Sequence, residues 1–291
     1  GKVIRYSTSL AQIFPYDEIE GKREGSDPQR DKSLYNKIKV RHLVEMSSGM
    51  DWVEAYDKPT GDFMITLLGR WKNDQLESSL RPNMEIAPGE KFNYSGANAN
   101  IIQGIIQKIG ETEFDTDDPN QAGYQLLFKK IGISKTDAYF ERDGQGHAIG
   151  SSYLHLTPLA MARLGHLYLD GGIWEQSRIL TAKFSQSLKT LNITLKRYER
   201  EKRTISKEYL KYIASQGAPS NAITWLNKDI SHYVINKKGE KVLKTAYAQE
   251  FPHSPEDMFF LAGHNGQLIF VLPTQDMVLV MTGQNRSYWG K

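Results

Sequence analysis

Three short segments of the sequence carry side chains that are suited to acid–base or acyl-transfer chemistry. Tyr94 stands in "NYSGAN" (93–98), just before an apolar run with helical spacing, and a phenol can act as an acid or a base. "HLVEMSSGMDW" (42–52) contains a Ser-Ser-Gly turn, and "FFLAGHNGQLIFVLP" (259–273) holds His264. Taken alone, each segment also has a structural interpretation: the turn ends a helix, Tyr94 packs at a helix start, and His264 sits in a hairpin.

The elements that would position these segments are helices in the middle of the chain and strands near its end. Residues 37–185 are predicted to be mainly helical, with "KIKVRHLVEM" ending at the Ser-Ser-Gly turn and "NANIIQGIIQKIG" stopping at Gly110. "TPLAMARLGHLYLDGG" opens with a Thr157 N-cap followed by proline and stops at two glycines. Residues 258–283 alternate apolar runs with turn residues, which predicts three consecutive antiparallel strands.

Composition excludes several classes of protein. The 291 residues are 39% hydrophobic and 24% charged, which is ordinary for a globular protein with a sizeable core. The formal net charge of +3 is too small to indicate a nucleic-acid surface, and no stretch approaches the ~20 apolar residues of a membrane-spanning helix. The absence of cysteine excludes disulfides, thiolate chemistry and Cys-zinc sites, and it is compatible with any compartment.

Other chemical motifs are absent or incomplete. There is no His-Glu-x-x-His pair, no phosphate-binding glycine loop and no Gly-x-Ser-x-Gly turn. "DTDDPNQAGYQL" (115–126) begins like a calcium loop, but it lacks the turn glycine and the bidentate glutamate, so we predict a polar loop. The run 195–211 is dense in charges of both signs and is interpreted as a solvated helix or surface insertion, with a binding surface as the alternative.

In their order and spacing, the three segments resemble the serine β-lactamase and penicillin-binding protein superfamily. The nearest branch contains AmpC-type β-lactamases, D-aminopeptidases, family VIII esterases and 6-aminohexanoate-oligomer hydrolases. The most specific similarities are "PGEKFNYS" (88–95) and "GHNGQ" (263–267), and the likeness extends over almost the whole chain. It implies an α/β (α+β) fold in which helices flank an antiparallel sheet. Residues 1–36 and 186–291 would form this sandwich lobe, and residues 37–185 would form a helical lobe.

The resemblance also implies roles for individual residues. Tyr94 lies on the second motif of the superfamily and would be the general base, provided that neighbouring positive charge lowers its pKa from the ordinary value near ~10. His264 lies on the third motif and would assist Tyr94 or the substrate, while the backbone N–H of Gln267 would bind an oxyanion. Substrate contacts are implied for the neighbours Ser95, Gly96, Asn98, Asn265 and Gly266.

Two departures from the family pattern bear on the substrate. Gly96 replaces an amide side chain that usually contacts a substrate carbonyl, and Asn98 is the neighbouring amide that would have to replace it. His264 replaces a permanent cation, and histidine ordinarily titrates near ~6.5. Capture of a substrate carboxylate should therefore be weaker at neutral pH, so we expect esters, amides or D-amino-acid peptides to be better substrates than penicillins.

The nucleophile of the superfamily, a Ser-x-x-Lys pair on a buried helix, is missing from these residues. No serine has lysine three positions later, and by family order the pair would precede residue 1. The first two strands of the family's sheet would also precede it, which would leave the strand near 277–282 with an open apolar edge. We therefore expect an upstream segment of the same polypeptide, or a separate chain, to complete the site.

The sequence thus predicts a serine hydrolase that acts through an acyl-enzyme on a small-molecule or peptide substrate, without metal or organic cofactor. The alternatives are a non-catalytic, penicillin-binding-like module that binds a peptide or cell-wall fragment, and an interaction protein that uses 195–211 as a basic arm. No nucleic-acid partner or membrane span is expected. The resemblance favours a periplasmic or secreted location, with a cytoplasmic one as the alternative.

Overall fold

The structure is a computed structural model that describes residues 4–19, 27–55, 60–69, 72–81, 83–190, 224–228, 230–247 and 250–283. The chain divides into two compact units, Gly1–Leu156 (unit 1) and Thr157–Lys291 (unit 2). The predicted lobes have their boundaries after residues 36 and 185 and do not coincide with this division, so that assignment stays a prediction. The charged run 195–211 lies outside the described residues.

Unit 1 consists of helices and one short antiparallel hairpin. Its elements are α1 (Pro28–Tyr35), α2 (Val40–Val44), α3 (Asp62–Leu67), α4 (Gln75–Leu80), α5 (Gly96–Glu113), α6 (Pro119–Leu126), β1 (Ala138–Phe140) and β2 (Leu154–Leu156). One core cluster joins Leu10 and Tyr35 to Leu43 and Ile101. Described residues near the start of the chain therefore pack in the same hydrophobic core as helices α2 and α5.

Helix α5 is the central element of this unit. Its N-cap is Ser95, whose Oγ accepts a hydrogen bond from the Asn98 N–H at 3.4 Å. The helix passes Gly110, the predicted stop, and ends at Glu113. The reason for Gly110 lies in packing, since a Cβ there would stand 2.7 Å from the Cβ of Ala122. Glycine lets α6 approach α5 and does not end the helix.

Two other local predictions for unit 1 were wrong. The helix predicted to reach residue 46 ends at Val44, because Met46 adopts a left-handed backbone with φ of 48°. The predicted polar loop at 115–126 contains α6, whose N-cap Asp118 accepts hydrogen bonds from the N–H groups of Asn120 and Gln121. An N-cap Asp followed by Pro at the first helical position is a helix-start signal. The polar-loop prediction rested on the comparison with a calcium loop and did not use this signal.

Unit 2 contains the main antiparallel sheet. Its elements are α7 (Pro158–Leu169), β3 (Ile173–Trp174), β4 (Ser177–Arg178), α8 (Ala182–Ser187), β5 (Trp225–Leu226), β6 (Ile230–Ile235), β7 (Lys241–Tyr247), β8 (Phe259–Gly263), β9 (Gln267–Leu272) and β10 (Met277–Met281). Four strands form one sheet in the order β10-β9-β8-β5, and β6 and β7 form a separate hairpin. The three consecutive strands predicted for 258–283 are confirmed, whereas the two-residue strand β5 was not predicted.

Helix α7 packs against β9 and β10, and its predicted N-terminus is confirmed. The Oγ1 of Thr157 accepts a hydrogen bond from the Ala160 N–H at 3.3 Å. Gly165 permits close packing on the sheet, since a Cβ there would lie 2.6 Å from Val278 and 2.8 Å from Ile269. None of the helices in the described ranges combines the length and apolar character that a membrane crossing requires.

Strand β10 is an edge of the four-stranded sheet in the described part of the chain. Its side chains alternate, with Val278 and Val280 partly buried. On the other face, Met277, Leu279 and Met281 are 45–49% exposed. Among the described residues, β10 therefore has a strand neighbour on one side only, and one of its faces exposes apolar side chains.

Candidate active site

The first two sequence segments meet in unit 1 through backbone hydrogen bonds. The Gly89 N–H donates to the Ser47 carbonyl at 2.7 Å, and the Asn93 N–H donates to the Met46 carbonyl at 2.7 Å. The Nδ2 of Asn93 also donates to the Trp52 carbonyl at 3.1 Å. The residues that precede Tyr94 are thereby joined to the Ser-Ser-Gly segment, and we refer to residues 46–54 and 85–96 together as the junction.

Gly49 is required at the centre of the junction. Its φ is +79°, and a Cβ would lie only 2.2 Å from the Ile86 carbonyl oxygen. The Gly49 carbonyl in turn accepts the Glu85 N–H at 2.9 Å. Ser47 and Ser48, the two residues before Gly49, are both buried. At the Ser-Ser-Gly turn, the backbone thus packs directly against the backbone of residues 85–86. Only glycine leaves room for this contact.

Tyr94 lies in the last part of the junction, directly before Ser95, the N-cap of α5. The side chain is partly exposed. Burial of the phenol raises the pKa of Tyr94 above its ordinary value, and the nearby Glu54 carboxylate raises it further. This direction is opposite to the lowered pKa that the predicted general base requires. In these surroundings Tyr94 keeps its proton at neutral pH.

Glu54 is a member of this site that the sequence analysis missed. Its side chain is buried, and Oε2 accepts hydrogen bonds from Trp52 Nε1 at 2.5 Å and from the Gly96 N–H at 2.7 Å. The Gly96 N–H is the first of helix α5, where the helix dipole favours negative charge. No spacing in the sequence joins residue 54 to a helix that starts at residue 96, so only the fold could reveal the contact.

The three predicted substrate-binding residues of the Tyr94 segment are all buried. Ser95 caps α5, and the Gly96 N–H is bound to Glu54. Asn98 has no exposed surface, and its Nδ2 donates to Met46 Sδ at 3.6 Å. A Cβ at Gly96 would meet Phe63 and Ser151 at 3.1 Å. This burial does not favour direct substrate contacts by these side chains, which stay predictions.

The third segment forms the β8–β9 hairpin in unit 2. His264 is exposed in the turn, followed by Asn265 and Gly266, both with positive φ (61° and 86°). Gln267 opens β9 opposite Gly263, and its Nε2 donates to the Gly283 carbonyl. The predicted turn residues are confirmed as a turn. The roles of His264, Asn265, Gly266 and the Gln267 N–H in chemistry stay predictions.

Potential metal ligands are not clustered in the described residues. Within those ranges, no group of three or more His, Asp or Glu side chains is arranged to hold a metal ion. The buried oxygens Ser47 Oγ and Asn98 Oδ1 have no hydrogen-bond partner among the described residues. The polar side chains near the start of α5 include the Ser95 hydroxyl, the Asn98 amide, the Glu54 carboxylate and the Tyr94 phenol.

Comparison with known proteins identifies the architecture. No protein-family profile and no curated protein sequence matches the chain. Among solved structures, a protein from Bacillus anthracis described as a 6-aminohexanoate-dimer hydrolase matches with a TM-score of 0.54 and 17% identity, over 96% of this chain and 66% of that one. A protein from Bacteroides dorei described as a β-lactamase matches with a TM-score of 0.50 and 16% identity, over 98% and 80%. The chain has the β-lactamase-like fold.

A family VIII carboxylesterase extends this likeness to an esterase. It matches with a TM-score of 0.51 and 12% identity, over 97% of this chain and 71% of that one. The β-lactamase-like fold of this chain therefore has hydrolases among its structural neighbours. The chain spans about two thirds of the length of the first of these structures, 66%. At these identities the likeness concerns the fold.

Proposed function

We propose that this chain is the main part of a serine hydrolase that forms an acyl-enzyme with esters, amides or D-amino-acid peptides. The nucleophilic Ser-x-x-Lys pair would be supplied by a segment upstream of residue 1, because no serine in the 291 residues has lysine three positions later. The β-lactamase-like fold supports this proposal. The observation that carries it is the junction, in which the partly exposed Tyr94 directly precedes the N-cap of α5.

In this mechanism Tyr94 exchanges a proton with the attacking serine and the leaving group. Burial and the charge of Glu54 raise its pKa, so the phenol is neutral at neutral pH in these surroundings. A lysine from the Ser-x-x-Lys pair would bring positive charge next to Tyr94 and lower its pKa toward that of a working base. His264 would act on Tyr94 or on the substrate, and the Gln267 N–H would stabilise the oxyanion.

The test compares the 291-residue chain with a longer product that includes the upstream sequence. We expect a fluorophosphonate probe to label a serine upstream of Gly1 in the longer product and to leave the 291-residue chain unlabelled. In the longer product, Tyr94→Phe should reduce kcat/KM for a p-nitrophenyl ester by about 10²-fold or more. Tyr139→Phe, an exposed tyrosine of β1, is the matched control and should leave the rate unchanged.

The substrate preference has its own test. Hydrolysis of a chromogenic cephalosporin much faster than that of p-nitrophenyl esters would contradict the proposed preference for esters and amides. It would leave the acyl-enzyme mechanism in place.

A non-catalytic module that binds a peptide or cell-wall fragment is the second candidate. It is favoured by the raised pKa of Tyr94, whose direction is opposite to that required of a general base. A longer product that binds a D-Ala-D-Ala peptide in calorimetry, is not labelled by fluorophosphonate and hydrolyses no ester would establish this second function instead of the first.

A further inference from the structure

His42 is a buried histidine whose two ring nitrogens both face N–H donors. Only 6% of its surface is exposed. The backbone N–H of Lys39 points at Nδ1, with 3.1 Å between the two nitrogens, and Nε of Arg41 lies 3.2 Å from Nε2. A neutral imidazole has one acceptor nitrogen, because the other nitrogen carries the proton. One of these two contacts therefore brings two N–H groups together.

The imidazole ring of His42 is neutral at neutral pH. Burial lowers the pKa of His42 to about 4, and the positive charges of Arg41 and Lys39 act in the same direction. A protonated ring would also face both donors with N–H groups of its own. The ring therefore holds one proton, and the surroundings decide which nitrogen carries it.

The backbone contact decides in favour of Nε2. Lys39 is the N-cap of α2, and its N–H is held in place by the chain, whereas the side chain of Arg41 is exposed and can rotate. Nδ1 is therefore the acceptor, and Nε2 carries the proton. Nε2–H and the guanidinium of Arg41 are then two donors that need an acceptor. The ion pairs within the described ranges do not include Arg41.

Space for an acceptor lies beside Nε2, on the side of Gly89. A Cβ at Gly89 would lie 3.6 Å from Nε2 of His42 and 3.9 Å from its Cδ2, and no other non-adjacent atom of the described residues would lie within 4 Å. The backbone N–H of Arg41 takes no part, because it donates to the Tyr6 carbonyl at 3.0 Å. The donors that remain belong to two side chains.

We propose that Arg41 and His42 form a binding site for a small oxyanion, which is a phosphate or a carboxylate group. The anion accepts from Nε2–H of His42 and from the guanidinium of Arg41, whose planar set of donors suits such groups. Lys39 adds positive charge nearby. The anion would stand between α2 and the junction, since the Gly89 N–H donates to the Ser47 carbonyl. This site does not depend on the proposed hydrolase function.

The experiment is an NMR titration of the 291-residue chain labelled with ¹⁵N-histidine. Sodium phosphate and sodium acetate are added in separate series at pH 7, with sodium chloride used to keep the ionic strength constant. Long-range ¹H–¹⁵N spectra report which ring nitrogen is protonated, and His42→Gln assigns the signals. We expect the proton on Nε2 and a saturable shift of that signal, with half-saturation at about 1–10 mM for at least one anion. Saturation with phosphate alone would identify a phosphate site, and saturation with acetate a site that takes carboxylates.

Arg41→Gln should weaken anion binding at least ~10-fold. Lys130→Gln is the matched control, because it removes the same charge from an exposed side chain elsewhere in unit 1 and should change binding less than ~2-fold. A proton on Nδ1, a shift that saturates with neither anion, or equal weakening in both variants would overturn the proposal. The first two results come from the wild type, so they decide even if Arg41→Gln does not fold. None of these measurements involves hydrolysis, so an inactive longer product would contradict the proposed function alone.

Discussion

At the scale of single residues, the junction depends on one position without a side chain. The carbonyl of Ile86 approaches Gly49 so closely that a Cβ would lie 2.2 Å from its oxygen, and the φ of +79° is unfavourable for any other residue. Such a contact cannot be relieved by a rotamer change, because both partners are backbone. The serines of the same turn are replaceable by comparison, since their side chains are not what holds the two segments together.

Gly49→Ala should therefore destabilise the chain strongly. The left-handed backbone costs about 1 kcal/mol and the steric conflict adds about 2 kcal/mol, so we expect a loss of about 3 kcal/mol in urea unfolding. Gly146→Ala is the matched control, because it has a similar φ of +87° and nothing within 4 Å of the added Cβ. It should cost only about 1 kcal/mol, and equal losses in the two variants would contradict the steric explanation.

His42 is a second residue whose surroundings lead to a measurable effect. Burial lowers its pKa to about 4, and the charges of Arg41 and Lys39 act in the same direction. Its Nδ1 accepts the Lys39 N–H at 3.1 Å, a contact that needs the neutral ring. Below the ordinary pKa near ~6.5 the unfolded chain binds a proton that the folded chain does not, so stability falls as the pH falls toward 4.

We expect the wild type to lose about 2 kcal/mol of stability from this residue between pH 7 and pH 5. His42→Gln removes the titration and leaves a side chain that can accept the same backbone N–H, as in a capping box. Urea unfolding at the two pH values should show a smaller loss for His42→Gln than for the wild type. Equal losses would show that another group accounts for the acid sensitivity.

At the scale of elements, local signals were sufficient for some predictions and misleading for others. The start of α7 was predictable because Thr157 and the following proline act within a few residues. The hairpin after β8 was predictable because Asn265 and Gly266 accept positive φ. The end of α5 was not, because Gly110 responds to a contact with Ala122 in another helix. A distant packing partner leaves no periodic pattern in the sequence.

The packing of α7 on the sheet can be tested at Gly165. A methyl group there would lie 2.6 Å from Val278 and 2.8 Å from Ile269, so Gly165→Ala should destabilise by about 1–3 kcal/mol despite its better helix propensity. In Gly123→Ala, also within a helix, the Cβ would find ordinary contacts at 3.8 and 3.9 Å. That control should be neutral or stabilise by up to ~1 kcal/mol. Two stabilised variants would contradict the close packing.

At the scale of the whole molecule, the fold class was predictable from the sequence, whereas the predicted lobe boundaries stay predictions. The predicted fold rested on three sequence segments and on their order along the chain. The β-lactamase-like fold agrees with that prediction. The division at residue 156 follows from tertiary packing, in which Leu10 and Tyr35 join the helical core. Glu54 was missed for the same reason, since its partner at Gly96 lies far along the chain.

The edge strand gives a prediction for the behaviour of the whole molecule in solution. The side chains of Met277, Leu279 and Met281 are about half exposed on β10. Exposed apolar edges promote association, so Leu279→Lys should reduce self-association of the 291-residue chain in sedimentation velocity. Leu159→Lys on α7 is the control, since Leu159 is 64% exposed but does not lie on a strand. An equal effect of both variants would assign association to general hydrophobicity.

The junction has a further consequence for the order in which the molecule folds. The bond between Glu54 and Gly96 joins residues 42 positions apart, and its neighbours in the junction span similar distances. Contacts that close such long loops form slowly compared with helices, because the chain loses entropy before the contact is made. We expect the helices to form first and the segment that carries Tyr94 to be assembled late. At that stage of folding, most of the secondary structure would be present before Tyr94 reaches its final position.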